Sequence, residues 1–158
     1  MNPLEQVVGS WAGRSTFRLM PTDAFASGES SATSTSEADG WGWLLRYAWV
    51  HPDDGAQSGV LLLGSPDADG SVSAAWLDSW HQKPGFGLAT GPASGGGVDL
   101  EMEYDGWGWT IALRPDGDRL EMLMHNVVPD GIEGASPGPY LVMEASWNRE
   151  ADAATTGR

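Results

Sequence analysis

Asp78 and His81 stand three positions apart in the run Trp76-Leu77-Asp78-Ser79-Trp80-His81. At the end of an extended segment that spacing brings a carboxylate beside an imidazole. The carboxylate can then orient and charge the ring, giving a general base or a polar anchor for a ligand headgroup. The same spacing also fits a plain strand-to-loop corner, in which Asp78 accepts backbone hydrogen bonds and His81 lies in solvent before Pro84. No Ser, Cys or Lys stands in a nucleophile elbow or a triad order, so hydrolysis has no support and no catalytic residue is assigned. The 3 histidines fall on separate segments without metal-ligand spacing, and Asp53-Asp54 is too short for a calcium loop. Neither a metal nor a cofactor is expected. His51, in an Asp-rich turn before Pro52, reads as solvated.

The elements that position these residues are short alternating blocks separated by Asp, Gly and Pro clusters, the pattern of an all-β domain. Candidate strands run from Ser10 to Leu19, Gly28 to Glu37, Trp41 to Val50, Ser58 to Gly64, Ser71 to Ser79, Phe86 to Gly91, Val98 to Tyr104, Trp107 to Leu113, Arg119 to Val127 and Tyr140 to Asn148. Pro3 to Val8 fits one helical turn before the first strand. The barrel domain is expected over residues 1–149 and a polar tail over 150–158.

Register can be worked out from the turns. Tyr104-Asp105-Gly106-Trp107 is an Asp-Gly hairpin, which pairs Tyr104 with Trp107, Met102 with Trp109, Leu100 with Ile111 and Val98 with Leu113. These bulky side chains share one face, and Glu103, Glu101 and Asp99 fall on the other. A four-residue loop over Pro115-Asp116-Gly117-Asp118 would pair Leu113 with Leu120, Ile111 with Met122 and Trp109 with Met124. That register turns His125 outward beside Glu121, which disfavours haem ligation through it. Trp41, Trp43, Leu45, Tyr47 and Trp49 alternate onto one face that demands a deep apolar space. Closing the meander into a barrel of eight to ten antiparallel strands supplies that space and removes the exposed edges, although a two-sheet sandwich would also bury the face.

Composition narrows the function classes. A chain of 158 residues fits one domain. With 22 acidic against 8 basic residues its net charge is -14, so nucleic acid and anionic membrane surfaces are not expected partners. It has no cysteine, hence no disulfide framework, which suits a reducing compartment. No secretory signal is visible at Met1-Asn2-Pro3-Leu4-Glu5, no segment reaches the ~20 apolar residues of a membrane helix, and a cytoplasmic protein is expected.

The opening Gly9-Ser10-Trp11-Ala12-Gly13, the helical turn before it and the meander after it resemble the calycin superfamily, which includes lipocalins and fatty-acid-binding proteins. Together with Trp76-Leu77-Asp78-Ser79-Trp80-His81 they resemble more closely a bacterial family of calycin-like barrels without an agreed activity. The likeness runs from about Val7 to Trp147. It implies a central pocket and a ligand role. Trp11, by its size, reads as a packing residue that plugs the closed end of the barrel.

The expected function is therefore binding of a small hydrophobic or amphipathic molecule in the lumen. Trp43, Tyr47, Trp76, Trp80, Trp109, Met122 and Met124 form the candidate wall, with Asp78 and His81 near the mouth. An enzyme folding a hydrophobic metabolite in the same lumen, and a self-filled barrel without a guest, stay open beside it. Pro129 to Pro139 is long enough to act as a lid. Arg46 and Glu144 could pair across the outside or turn inward to a ligand. Leu44, Val50, Leu123 and Val127 offer an outer face for a homodimer.

Overall fold

The computed structural model describes residues 2–152. Residues 1 and 153–158 lie outside the described residues, and most of the expected tail falls on them. A 3-10 turn at Pro3–Val7 leads into ten antiparallel strands: β1 Gly9–Phe17, β2 Ala26–Glu37, β3 Gly42–His51, β4 Gly55–Gly64, β5 Ser71–Asp78, β6 Gln82–Ser94, β7 Gly97–Tyr104, β8 Trp107–Asp116, β9 Arg119–Val128 and β10 Gly138–Arg149. Each strand pairs with its sequence neighbours and β10 closes on β1, so the all-β meander is a closed barrel without a sheet edge.

Local chemistry explains the register. Asp105 and Gly106 both adopt positive φ, 47° and 83°, the conformation of a two-residue turn whose twist matches its strands. The β7–β8 pairs Val98 with Leu113, Leu100 with Ile111, Met102 with Trp109 and Tyr104 with Trp107 follow from it. The next hairpin departs from the sequence reading. Gly117 takes φ 60° and opens a two-residue turn, so Asp116 pairs with Arg119 and Pro115 joins the strand. Leu113 therefore faces Met122, Ile111 faces Met124, and Trp109 faces Asn126. A slip of two residues preserves the alternation, which is why the inward set is right while the partners are not.

One further expectation is corrected, and one irregularity breaks the alternation. Trp41 ends a short 3-10 turn in an αR conformation rather than starting β3, and it is 74% exposed. The register of β10 shifts between Leu141 and Met143, so Val142 and Met143 are both buried and Leu141 falls out of the inward series.

One continuous core fills most of the barrel, with Trp11, Tyr47, Trp49, Trp76, Trp147 and Phe17 among its largest fully buried side chains. Leu4 and Val7 of the 3-10 turn are buried and the turn packs against β7 and β8, plugging one end. There the Trp11 indole donates to the Val7 carbonyl at 2.9 Å. The Arg149 guanidinium lies 4.2 Å over the Trp11 ring and donates to the carbonyls of Val8 at 2.7 Å and Gln6 at 3.0 Å. The opposite end, where β3, β5 and β9 finish and β8 and β10 start, is the mouth.

The outer face does not carry the expected dimer patch. Leu44 and Val50 lie on β3 and Leu123 and Val127 on β9, with β10, β1 and β2 between them. The exposed apolar residues gather elsewhere: Leu44 pairs with Leu62, Leu62 with Ala75, and Ala75 with Leu88. Arg46 is exposed and Glu144 half-buried; β1 and β2 separate their strands, so they do not pair. Among the described residues no helix is long and apolar enough to cross a membrane.

Candidate functional site

The mouth is organised by the end of β5. Gly59 on β4 pairs with Tyr47 on β3 and with Asp78 on β5. A Cβ at Gly59 would overlap the Tyr47 ring, so glycine here lets the ring lie across β4 and reach the next strand. The Tyr47 hydroxyl donates to Asp78 Oδ2 at 2.5 Å and accepts from the Trp76 indole N–H at 2.8 Å. The other carboxylate oxygen, Oδ1, accepts from the backbone N–H groups of Trp80 and His81, both at 2.8 Å. Both oxygens of this buried carboxylate thus meet a donor. Burial pushes the Asp78 carboxyl up, but the His81 ring, the Tyr47 hydroxyl and the backbone donor together outweigh it and hold the group below its ordinary value. Tyr47 moves the other way: burial, then the Asp78 charge, raises its hydroxyl well above the usual tyrosine range.

The corner turns the chain so that His81 folds back inside. Its side chain is 2% exposed, which overturns the solvated alternative. Nδ1 lies 3.3 Å from Asp78 Oδ1, and neither ring nitrogen completes a hydrogen bond among the described residues. Aromatic rings surround it: Trp49 stacks at 6.0 Å, Trp80 meets it edge-on at 4.8 Å, and Trp109 lies at 5.4 Å. Trp109 in turn stacks on Trp76 at 5.1 Å. The indole N–H groups of Trp49 and Trp109 are also buried without a partner. An unpaired buried donor costs about 1–3 kcal/mol, and here two such indoles flank the His81 ring.

These groups back a cavity of about 310 Å³ whose wall includes Trp80, His81, Trp109, Asn126 and Val142, and whose rim includes Arg18, Leu19, Met20, Tyr104, Trp107 and Tyr140. The rim is held in place by a chain of hydrogen bonds. Tyr104 donates to Asn126 Oδ1 at 2.6 Å, Asn126 Nδ2 donates to the Tyr140 oxygen at 3.0 Å, and the Tyr140 hydroxyl donates to the Leu19 carbonyl at 2.8 Å. Arg18 anchors the same loop through the carbonyls of Leu141 and Pro21 and lies 4.2 Å over the Phe25 ring. The segment that covers this cavity is therefore the β1–β2 loop; no residue of Pro129 to Pro139 is in its lining.

The structure divides the sequence candidates into three groups. Trp80, His81 and Trp109 line the cavity, and Tyr47, Trp76 and Asp78 form the support beneath them. Trp43, Met122 and Met124 are buried in the packed core and do not line this cavity. Sequence reasoning missed Trp49, Arg18, Tyr104, Asn126 and Tyr140. Asn126 escaped because the slipped β8–β9 register put Met124 opposite Trp109. His51 is also corrected: its ring packs 5.2 Å from Phe17 and 5.1 Å from Trp80, with Nδ1 accepting from the N–H groups of Asp53 and Asp54. His125 pairs with Thr110 and Leu141 and points outward, half-buried, where burial lowers its pKa.

With this geometry in hand, comparison with known proteins bears on the fold. Among solved structures the chain is similar to the "Crystal Structure of Rv2717c from M. tuberculosis", with a TM-score of 0.67 and 16% sequence identity over 94% of this chain and 95% of that one. The likeness is one of fold. Neither a family model nor a curated protein sequence matches the chain.

Proposed function

We propose that the barrel is a binding protein that takes a small, largely apolar molecule with a polar group into the cavity at its mouth. The observation that carries this reading is that two residues lining the aromatic-walled cavity, His81 and Trp109, hold buried ring nitrogens without a partner among the described residues. Natural proteins pair their buried polar groups almost completely, and a guest that supplies the missing partners would account for the exceptions. A few placed polar groups in an apolar wall is also how small-molecule sites gain orientation. The calycin-like sequence features at Gly9 to Gly13 and Trp76 to His81 support the same reading, since that resemblance implies a pocket and a ligand. The site lies at the open end rather than along the whole lumen, because rings fill the centre.

Fluorescence titration tests it. Compact aromatic ligands are expected to quench the tryptophans saturably, and replacing Trp80 with Ala is expected to weaken that response tenfold or so, the loss of one aromatic contact. Absence of saturable quenching by any compact aromatic, alicyclic or fatty-acid probe would overturn the proposal. One observation favours a second reading: the Asp78–His81 contact at 3.3 Å is the pairing a general base needs. For an enzyme, His81→Gln would abolish turnover of a bound substrate while leaving its binding within a few-fold.

A further inference from the structure

We infer that the guest of this cavity is a planar aromatic hydroxyl compound, its O–H donated to His81 Nε2 and its oxygen accepting from the Trp109 indole N–H. The inference rests on the binding reading above and names the ligand class. The argument starts from the Asp78 carboxylate. Both its oxygens are engaged by fixed donors, and Oδ1 lies 3.3 Å from Nδ1 of His81, close but not aligned as a hydrogen bond. In the neutral ring, a carboxylate against Nδ1 places the proton there and leaves Nε2 as a lone pair. Nε2 is buried with no donor facing it, so the guest must bring a donor. Next to it, 5.4 Å away between ring centres, Trp109 offers an indole N–H with no acceptor, so the guest must also bring an acceptor. A hydroxyl is the smallest group that is both. The rings of Trp80 and Trp109 around the cavity favour a flat π-surface carrying that hydroxyl, and the cavity of about 310 Å³ is at the small end for ligand sites. A carboxylate guest fits less well, because it brings no donor and would face a lone pair.

The test uses 2-naphthol, 2-methoxynaphthalene and naphthalene with the full chain, and 15N-histidine labelling. In the unliganded protein the His81 Nε2 resonance is expected to have the position of an unprotonated nitrogen. 2-Naphthol should move it toward the hydrogen-bonded position, and naphthalene should not. 2-Naphthol should bind at least about tenfold tighter than either analogue, although naphthalene is the more apolar, since the analogues leave Nε2 unpaired. In His81→Phe that preference should vanish. A protonated Nε2 in the unliganded protein, equal binding of all three compounds, or a preference retained in His81→Phe would each overturn the inference. Equal binding would leave the cavity reading intact. Failure of all three to bind, with fatty-acid probes equally silent, would remove both.

Discussion

The two ends of this barrel use the same residue type to opposite effect. At the plugged end, Trp11 donates its indole N–H to Val7 and is covered by Arg149, and Trp147 donates to the Ser30 hydroxyl at 2.9 Å. At the mouth, Trp49 and Trp109 are also buried, but their N–H groups have no partner among the described residues, and the ring nitrogens of His81 beside them have none either. The Ser34 and Ser15 hydroxyls are also unpaired, but neither lines the mouth cavity. The indoles of one end are partnered by the chain itself, whereas those of the other are enclosed without partners. Folding accounts for the first arrangement; the second is where the proposed guest would supply the missing partners.

The largest effect expected from this contrast is at the plugged end. Trp11→Ala removes a fully buried ring, its hydrogen bond and the seat of Arg149, and should cost about 3–5 kcal/mol. Denaturant unfolding with an unchanged m-value measures it. A loss below about 1 kcal/mol would mean that the plug is not part of the core. Next in size is Tyr47→Phe, which strands both the Trp76 N–H and one oxygen of the Asp78 carboxylate. Each stranded group costs about 1–3 kcal/mol. The same variant should loosen His81 and weaken binding of any guest, so a stability loss without a binding loss would separate the support from the site.

How far the sequence reveals this division depends on the signal involved. The barrel was legible because an alternation of period two survives any even slip: the β8–β9 pairs moved by two residues and the inward set did not change. Asp78 and His81 were legible because three residues separate them along the chain. What stayed hidden depends on closure. Tyr47 reaches Asp78 only across Gly59, and no local pattern announces that a glycine on the intervening strand leaves room for a ring. Asn126 was lost to turn chemistry, since Gly117 tightened a loop that its composition suggested was longer. Trp43 and Trp109 read alike in sequence, and only the position along the barrel axis makes one a filler and the other a wall of the cavity.

A smaller effect should appear with pH. The folded Asp78 carboxyl is held below its ordinary value of about 3.9, so the unfolded chain takes up its proton first. Its contribution to stability is fully present above that ordinary value and is lost as pH falls through the lower folded value. Acid unfolding of the wild-type protein should therefore steepen below about pH 4, and Asp78→Asn should flatten that part of the curve while lowering stability at neutral pH. An unchanged acid limb in the variant would place the responsible carboxylate elsewhere.

The smallest stability change is the sharpest for the comparison. Trp109→Phe keeps a ring to stack on Trp76 and deletes an N–H that has no partner in the protein, so it should shift stability by less than about 1 kcal/mol and can even raise it, because an unpaired buried donor is removed. Trp11→Phe makes the same chemical change at the plugged end, but there it orphans the Val7 carbonyl and should cost about 1–2 kcal/mol more than its counterpart. Binding should rank the pair in reverse: Trp11→Phe leaves affinity for an aromatic hydroxyl guest unchanged, and Trp109→Phe lowers it several-fold by removing the donor to the guest's oxygen. Equal stability losses for the two variants would mean that the mouth indole is satisfied within the protein, and the division between partnered and unpartnered indoles would fall with it.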